Sequence, residues 1–159
     1  MNRPISRGYK LDPPVFVHPM ILVGAGEMLT PEFKNKWNIS HVVNCASDDV
    51  SPSWFRTDYK ENYKSIGAID SLDVNILTWY PEFKQIVGKY LQDPDCTCIF
   101  VHCQCGINRS AFLALMYVCD VFKFSLESVQ TGIIRKRPCA LTNKEFKKQV
   151  SWALSKKAE

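Results

Sequence analysis

A cysteine and an arginine separated by five residues stand in the segment His102-Cys103-Gln104-Cys105-Gly106-Ile107-Asn108-Arg109-Ser110. An apolar, β-rich run at 98–101 precedes the segment and a helical run at 111–122 follows it, which predicts a strand, a tight loop and a helix. Backbone N–H groups that curl at a helix N-terminus bind anions, and an arginine can hold two phosphate oxygens at once. The segment therefore predicts a cradle for a tetrahedral phosphate dianion above a thiol.

The residues of this loop have distinct expected roles. Positive potential at the helix N-terminus favours an ionised Cys103, and a thiolate is a nucleophile. Gly106 permits a positive φ, and the Ser110 hydroxyl can donate a hydrogen bond to the sulfur. The residues expected to bind the substrate are Gln104, Cys105, Gly106, Ile107, Asn108 and Arg109. The alternative is a buried structural cysteine beside a helix-capping loop.

The segment resembles the His-Cys-x5-Arg-Ser/Thr signature of the cysteine-dependent protein tyrosine phosphatase superfamily. Three further stretches, at 21–24, 39–45 and 137–146, resemble the Leu-Tyr-Leu-Gly, Ile-Thr-His-Val-Leu-Asn and Arg-Pro…Asn-x-x-Phe patterns of its dual-specificity members. The resemblance extends over most of the chain, from residue 15 to residue 155. It is to the small, atypical dual-specificity phosphatases of poxvirus and cellular type, and it implies a phosphocysteine intermediate and no cofactor or metal.

The order of apolar and polar segments predicts an α/β protein with a central mixed sheet of about five strands flanked by helices, as in the tyrosine phosphatases. Residues 1–14 are expected to form an extended N-terminal arm, and residues 15–159 a single catalytic domain. Strands are predicted at 15–17, 21–23, 40–45, 62–66 and 98–101. Helices are predicted at 31–37, 75–91, 109–122, 125–135 and 143–155, and a polar loop at 46–58.

Expulsion of an alkoxide or phenolate from phosphorus needs an acid, and two carboxylates lie in a polar segment before a predicted helix. These are Asp70 and Asp73, and the residues alone do not separate them. In the dual-specificity phosphatases the acid begins an Asp-x4-Asn-Leu/Ile pattern, which Asp70, Asn75 and Ile76 resemble. The resemblance implies that Asp70 is the acid and that Asp73 is a solvated or helix-capping carboxylate.

Several further side chains are expected to support the site. His102 is interpreted as a group that orients the loop, and Asn143 as a helix cap whose family counterpart lies near the site and could orient a water. Cys105 either fills space or forms a protective disulfide with Cys103, and Cys45 is the rival resolving thiol.

Composition narrows the class of protein. The net charge of +4 is mild, and much of it lies in the last third of the chain, including Arg135, Lys136 and Arg137. The favoured interpretation is a solvated helical face; the alternative is a positive rim that attracts acidic substrates. Seven cysteines without a metal-binding or disulfide pattern favour a reducing compartment, cytoplasmic or nuclear, and no apolar run predicts a membrane span or signal peptide.

The sequence thus predicts a cysteine-dependent phosphatase that acts on phosphotyrosine and phosphoserine or phosphothreonine in proteins, as a monomer or weak dimer. A similar loop occurs in an RNA 5′-triphosphatase relative, so triphosphate RNA is the alternative substrate. A phosphoprotein-binding pseudophosphatase is the rival from another class, although such proteins usually lose the nucleophile or the arginine. A rhodanese-like sulfur transferase would not require the Asp70 segment.

Overall fold

A computed structural model describes residues 3–158, built around a five-stranded sheet in the order β1-β2-β5-β3-β4. The strands are β1 (Val15–His18), β2 (Ile21–Ala25), β3 (His41–Asn44), β4 (Tyr63–Ser65) and β5 (Ile99–Cys103). β1 pairs with β2 in the antiparallel sense and every other pair is parallel, so the sheet is mixed. The predicted α/β class with about five strands is confirmed.

Six α-helices surround the sheet. They are α1 (Pro31–Trp37), α2 (Ser53–Asp58), α3 (Tyr80–Gln92), α4 (Arg109–Val121), α5 (Leu126–Lys136) and α6 (Lys144–Ala158). Short 3-10 turns occupy Gly26–Met28, Asp48–Val50, Lys60–Asn62 and Ile76–Trp79. Thr30 and Ser125 cap α1 and α5 by accepting from Phe33 N and Ser128 N, as residues of these types do at helix starts.

The central strand β5 is buried on both faces. Successive side chains of a strand point to opposite sides, so Val101 joins the core beneath α3, α4 and α6 while Phe100 joins a smaller core beneath α1 and α2. α4 lies within the larger core and is buried from Ser110 to Asp120. This burial fixes the position of the α4 N-terminus relative to the end of β5.

Two predicted segments are wrong in detail. The stretch at 46–58 is not a continuous polar loop, because Phe55 is buried and holds the short helix α2 against the sheet. The helix predicted at 75–91 begins later, at Tyr80, after a 3-10 turn that Asn75 caps. Pro81 stands in the first turn of α3. The N–H groups of a first turn have no acceptor within the helix, so the missing N–H of proline costs no hydrogen bond there.

The N-terminal segment packs against the C-terminal part of the fold. Arg3 donates to the carbonyl oxygens of Pro138 and Leu141, and the buried Asp12 carboxylate accepts from Ser6 Oγ at 2.6 Å and Cys139 N at 3.0 Å. Residues 1 and 2 of the predicted arm and residue 159 of the predicted domain lie outside the described residues. From residue 3 to residue 158, no helix is long and apolar enough to cross a bilayer.

Candidate active site

The loop between β5 and α4 has the geometry that its sequence predicts. Cys103 ends β5, and Arg109 begins α4 after five intervening residues. Gly106 has a φ of +63°, and a Cβ there would lie 2.3 Å from the carbonyl carbon of Gly24. A side chain at this position is therefore excluded both by conformation and by the backbone of β2.

The backbone of the loop presents unused donors. Within residues 3–158, the N–H groups of Cys105, Gly106 and Ile107 have no hydrogen-bond acceptor. Buried or half-buried N–H groups in folded proteins nearly always have a partner, and groups such as these, at the start of a helix, bind anions. Gln104 lies exposed at the mouth of the loop, while Cys105 and Ile107 are half-buried.

The thiol of Cys103 is buried and faces a hydroxyl. Its Sγ atom lies 3.3 Å from Ser110 Oγ in the first turn of α4. Arg109 lies next to this pair in sequence, and its Nη1 donates to Ala68 O at 3.2 Å. The buried Nε of Arg109 has no partner among the described residues. Most donors of this guanidinium are therefore unused, and it lies beside a loop of free N–H groups. Together these groups can bind the oxygens of a phosphate.

His102 is buried and neutral. Burial lowers its pKa to about 4. Nδ1 lies 3.2 Å from the Cys103 carbonyl oxygen, which can only accept, so this nitrogen carries the proton. Nε2 then accepts from Ser51 Oγ at 3.0 Å. His102 therefore orients the end of β5 and does not act as a cation beside the thiol.

Asp70 reaches the loop and Asp73 does not. The two carboxylate oxygens of Asp70 accept from Asn108 Nδ2 at 3.1 Å and from Asn143 Nδ2 at 3.0 Å. Asp73 is exposed, and its N–H donates to Ser71 Oγ. It caps no helix, because Asn75 caps the following turn. The structure thus separates two carboxylates that the residues alone leave equivalent.

Two asparagines join the Asp70 segment, the cradle loop and α6. Asn108 Oδ1 accepts from the N–H groups of Thr142 and Asn143 at 2.9 and 2.8 Å. Asn143 Oδ1 caps α6 by accepting from Glu145 N and Phe146 N, while its Nδ2 holds Asp70. Asn143 therefore serves as the predicted cap and contacts the candidate acid at the same time.

Sequence reasoning missed Gln149 as a support of the same segment. Its Nε2 donates to Val74 O at 3.0 Å, and its Oε1 accepts from Ile76 N at 2.9 Å. A glutamine on a helix that is otherwise rich in lysine gives no sequence signal of this role. The segment from Asp70 to Ile76 is consequently tied to α6 at both ends.

Arg137 is completely buried. The sequence suggests that the basic residues near the C-terminus form a solvated face or a positive rim, and neither interpretation holds for this arginine. Its Nε donates to Gly106 O at 2.8 Å and its Nη2 to Cys105 O at 2.6 Å. The remaining donors reach the carbonyl oxygens of the N-terminal segment, including Tyr9 O at 2.9 Å. Arg137 therefore belongs neither to a solvated face nor to a positive rim; Arg135 and Lys136 are exposed.

The two candidate resolving thiols differ in environment. Burial raises the pKa of Cys45 well above its usual range, and nearby Cys103 adds to the rise. Burial, followed by the charge of Cys103, raises the pKa of the half-buried Cys105. Both thiols are free, and the proposed disulfide of either one with Cys103 stays a prediction. Across residues 3–158, no group of three or more His, Cys, Asp or Glu side chains is placed to hold a metal ion.

Comparison with known proteins identifies the family. The dual specificity phosphatase catalytic domain model matches residues 21–154, which is most of the chain. The chain therefore belongs to the dual specificity phosphatase family. It is 25% identical over 134 residues to human dual specificity protein phosphatase 16, and 24% identical over 136 residues to mouse dual specificity protein phosphatase 19.

These relatives are longer proteins. The matches cover 84% of this chain in both cases, but only 19% of the human protein and 59% of the mouse protein. The chain spans less than two thirds of the curated relatives it matches.

Solved structures share the fold. The human tyrosine phosphatase-like serine/threonine/tyrosine-interacting protein aligns with a TM-score of 0.73 at 18% identity, over 92% of this chain and 98% of that chain. Human DUSP28 aligns with a TM-score of 0.72 at 16% identity, over 92% and 96% of the two chains. The tyrosine phosphatase-like fold predicted from the sequence is confirmed.

Replacement of Arg137 tests whether this buried guanidinium holds the loop. In Arg137→Met the loop carbonyls lose their donors, and we expect the free energy of unfolding to fall by about 3 kcal/mol. Arg135→Met, at an exposed arginine two residues earlier in α5, is expected to change it by less than about 0.5 kcal/mol. Urea denaturation measures both, and equal stability of the two variants would contradict the structural role of Arg137.

Proposed function

We propose that this chain hydrolyses phosphate monoesters on proteins through a phosphocysteine intermediate. The observation that carries the proposal is the set of unused donors in the loop that follows the Cys103 thiol, namely Arg109 Nε and the N–H groups of residues 105–107. A phosphate dianion needs several such donors in the same loop as the nucleophile. Family membership at residues 21–154 supports the same conclusion independently.

The first step transfers the phosphoryl group to sulfur. The Cys103 thiolate attacks phosphorus in line, and the bond from phosphorus to the leaving oxygen breaks. Arg109 and the loop N–H groups stabilise the charge on the equatorial oxygens, which is the largest contribution that the protein makes to this reaction type. Asp70 donates its proton to the leaving alkoxide or phenolate, and its contacts with Asn108 and Asn143 hold it at the mouth of the cradle.

The second step hydrolyses the phosphocysteine. Asp70, now ionised, accepts a proton from a water that attacks phosphorus, and the phosphorus–sulfur bond breaks. Ser110 donates a hydrogen bond to the departing sulfur, in keeping with the 3.3 Å separation of the two side chains. Asn143 acts on this step through Asp70, because its amide is already occupied by Asp70, Ser71 O and the N–H groups of Glu145 and Phe146.

Phosphotyrosine together with phosphoserine or phosphothreonine is the proposed substrate class, because the sequence carries no counterpart of the aromatic loop that deepens the pocket of tyrosine-only enzymes. The RNA 5′-triphosphatase alternative depended in part on the basic cluster at 135–137. Burial of Arg137 removes one of those charges from reach of a polyphosphate. The pseudophosphatase alternative conflicts with the presence of both Cys103 and Arg109.

A reducing compartment, cytoplasmic or nuclear, is the proposed setting for this chemistry. All seven cysteines are free thiols, and a nucleophilic thiolate is lost on irreversible oxidation.

Cys103→Ser tests the nucleophile. Wild-type protein is expected to hydrolyse p-nitrophenyl phosphate in the presence of a metal chelator, and the variant to lose at least about 1,000-fold in kcat because a serine hydroxyl stays protonated. Binding of a phosphotyrosine peptide to the variant, measured by calorimetry, is expected to persist. The control is Cys98→Ser, at a buried thiol that directly precedes β5 and packs in the smaller core, and it is expected to retain turnover.

Asp70→Asn tests the acid, with Asp73→Asn as the matched control. Asp70→Asn is expected to lower kcat about 100-fold for phenyl phosphate, whose leaving group needs a proton, and much less for p-nitrophenyl phosphate. Asp73→Asn is expected to stay within about twofold of wild type on both esters because Asp73 makes no contact with the loop. Equal losses of Asp70→Asn on both esters would reject the assignment.

A further inference from the structure

A cavity of about 250 Å³ borders the cradle on the side of Gln104. Its walls come from three separate parts of the chain: Tyr9 from the N-terminal segment, Glu27 from the turn after β2, and Asp49 with Val50 from the turn after β3. The cavity is smaller than the pockets of roughly 300–1,000 Å³ that take drug-sized ligands, so it suits a single side chain. Because Gln104 lines this cavity and directly follows Cys103, the cavity lies beside the place where a phosphate would bind.

The charge in the cavity is opposite to that of the cradle. Glu27 and Asp49 are both exposed, and within residues 3–158 neither lies within 4.0 Å of a lysine, arginine or histidine nitrogen. Asp49 accepts from the Ser47 hydroxyl, which fixes its carboxylate in place. Glu27 lies close enough to the cradle to contribute, after burial and Cys103, to the raised pKa of Cys105.

The two carboxylates have no cationic partner among the described residues, so a cation that enters the cavity gains their Coulombic attraction. A substrate that carries a phosphate and, beside it, a cation therefore matches the charges of both the cradle and the cavity. The Tyr9 ring is a further wall of the cavity, and Lys10 Nζ already lies 5.9 Å from its centroid, so the ring can contact a cation.

We propose that this cavity binds an arginine or lysine side chain of the substrate, so that the enzyme selects phosphorylated segments with a basic residue beside the phosphorylated one. The inference rests on the proposed phosphatase function and specifies its substrate. Arginine fits best, because its planar fork can pair with a carboxylate through two hydrogen bonds. A polyanion such as RNA meets repulsion at the same place.

Matched phosphopeptides test the preference. Three phosphotyrosine peptides that differ only in the flanking residues, arginine, glutamine or glutamate, are compared by kcat/KM. We expect wild type to prefer the arginine peptide over the glutamate peptide by 10-fold or more, which corresponds to about 1.4 kcal/mol or more. A preference for the glutamate peptide, or none, would overturn the proposal.

Charge-neutral variants give effects of opposite sign. In Glu27→Gln/Asp49→Asn we expect kcat/KM to fall for the arginine peptide and to rise for the glutamate peptide, so that the ratio drops below about threefold. A merely structural role would lower both values together. Glu32→Gln, an exposed carboxylate on α1 outside the cavity, is the control that keeps the wild-type ratio.

The same test separates this inference from the proposed function. Absence of turnover on every phosphate ester would reject the phosphatase assignment but would leave binding measurable. The three peptides are therefore also titrated against Cys103→Ser by calorimetry, with and without Glu27→Gln/Asp49→Asn. An arginine preference in binding that these two substitutions remove supports the subsite whatever the turnover. Equal affinities for the three peptides reject it.

Discussion

The candidate site depends on one buried guanidinium. Arg137 is fully buried, and it donates hydrogen bonds to the carbonyl oxygens of Cys105 and Gly106. In a trans peptide the carbonyl oxygen and the following N–H point in opposite directions, and all described peptides are trans. Holding these two carbonyls on Arg137 therefore turns the N–H groups of Gly106 and Ile107 the other way, where they remain without acceptors. The loop presents free N–H groups to a ligand because its carbonyl oxygens on the opposite side are already bound by Arg137.

The same guanidinium makes the N-terminal segment part of the site. Arg137 donates to Tyr9 O, and Arg3 and Asp12 add contacts with the chain at 137–141. Tyr9 is thereby held as a wall of the cavity beside Gln104. A segment with few apolar residues is ordered here by hydrogen bonds to otherwise unpaired carbonyls.

Asp70 is placed by a hydrogen-bond network rather than by its own segment. Asn108 from the cradle and Asn143 from the start of α6 each bind one carboxylate oxygen, and Asn108 also binds the backbone of residue 143. The candidate acid is therefore tied to the cradle loop itself, through the residue that directly precedes the helix carrying Arg109. Movement of any of the three segments would disturb all of them.

Local spacing was enough to predict the β5–loop–α4 unit, the candidate reactive residues within it and the α/β class, because these follow from neighbours in the chain and from apolar periodicity. The residues alone left Asp70 and Asp73 equivalent, and only the family resemblance favoured Asp70. Tertiary structure decided the contacts that hold Asp70 at the loop, the inward turn of Arg137, the helix at 53–58 with Phe55 buried, and the cavity shared by Tyr9, Glu27 and Asp49. Each of these joins residues far apart in the sequence, and the favourable contacts that fix them exist only once the sheet has brought those segments together.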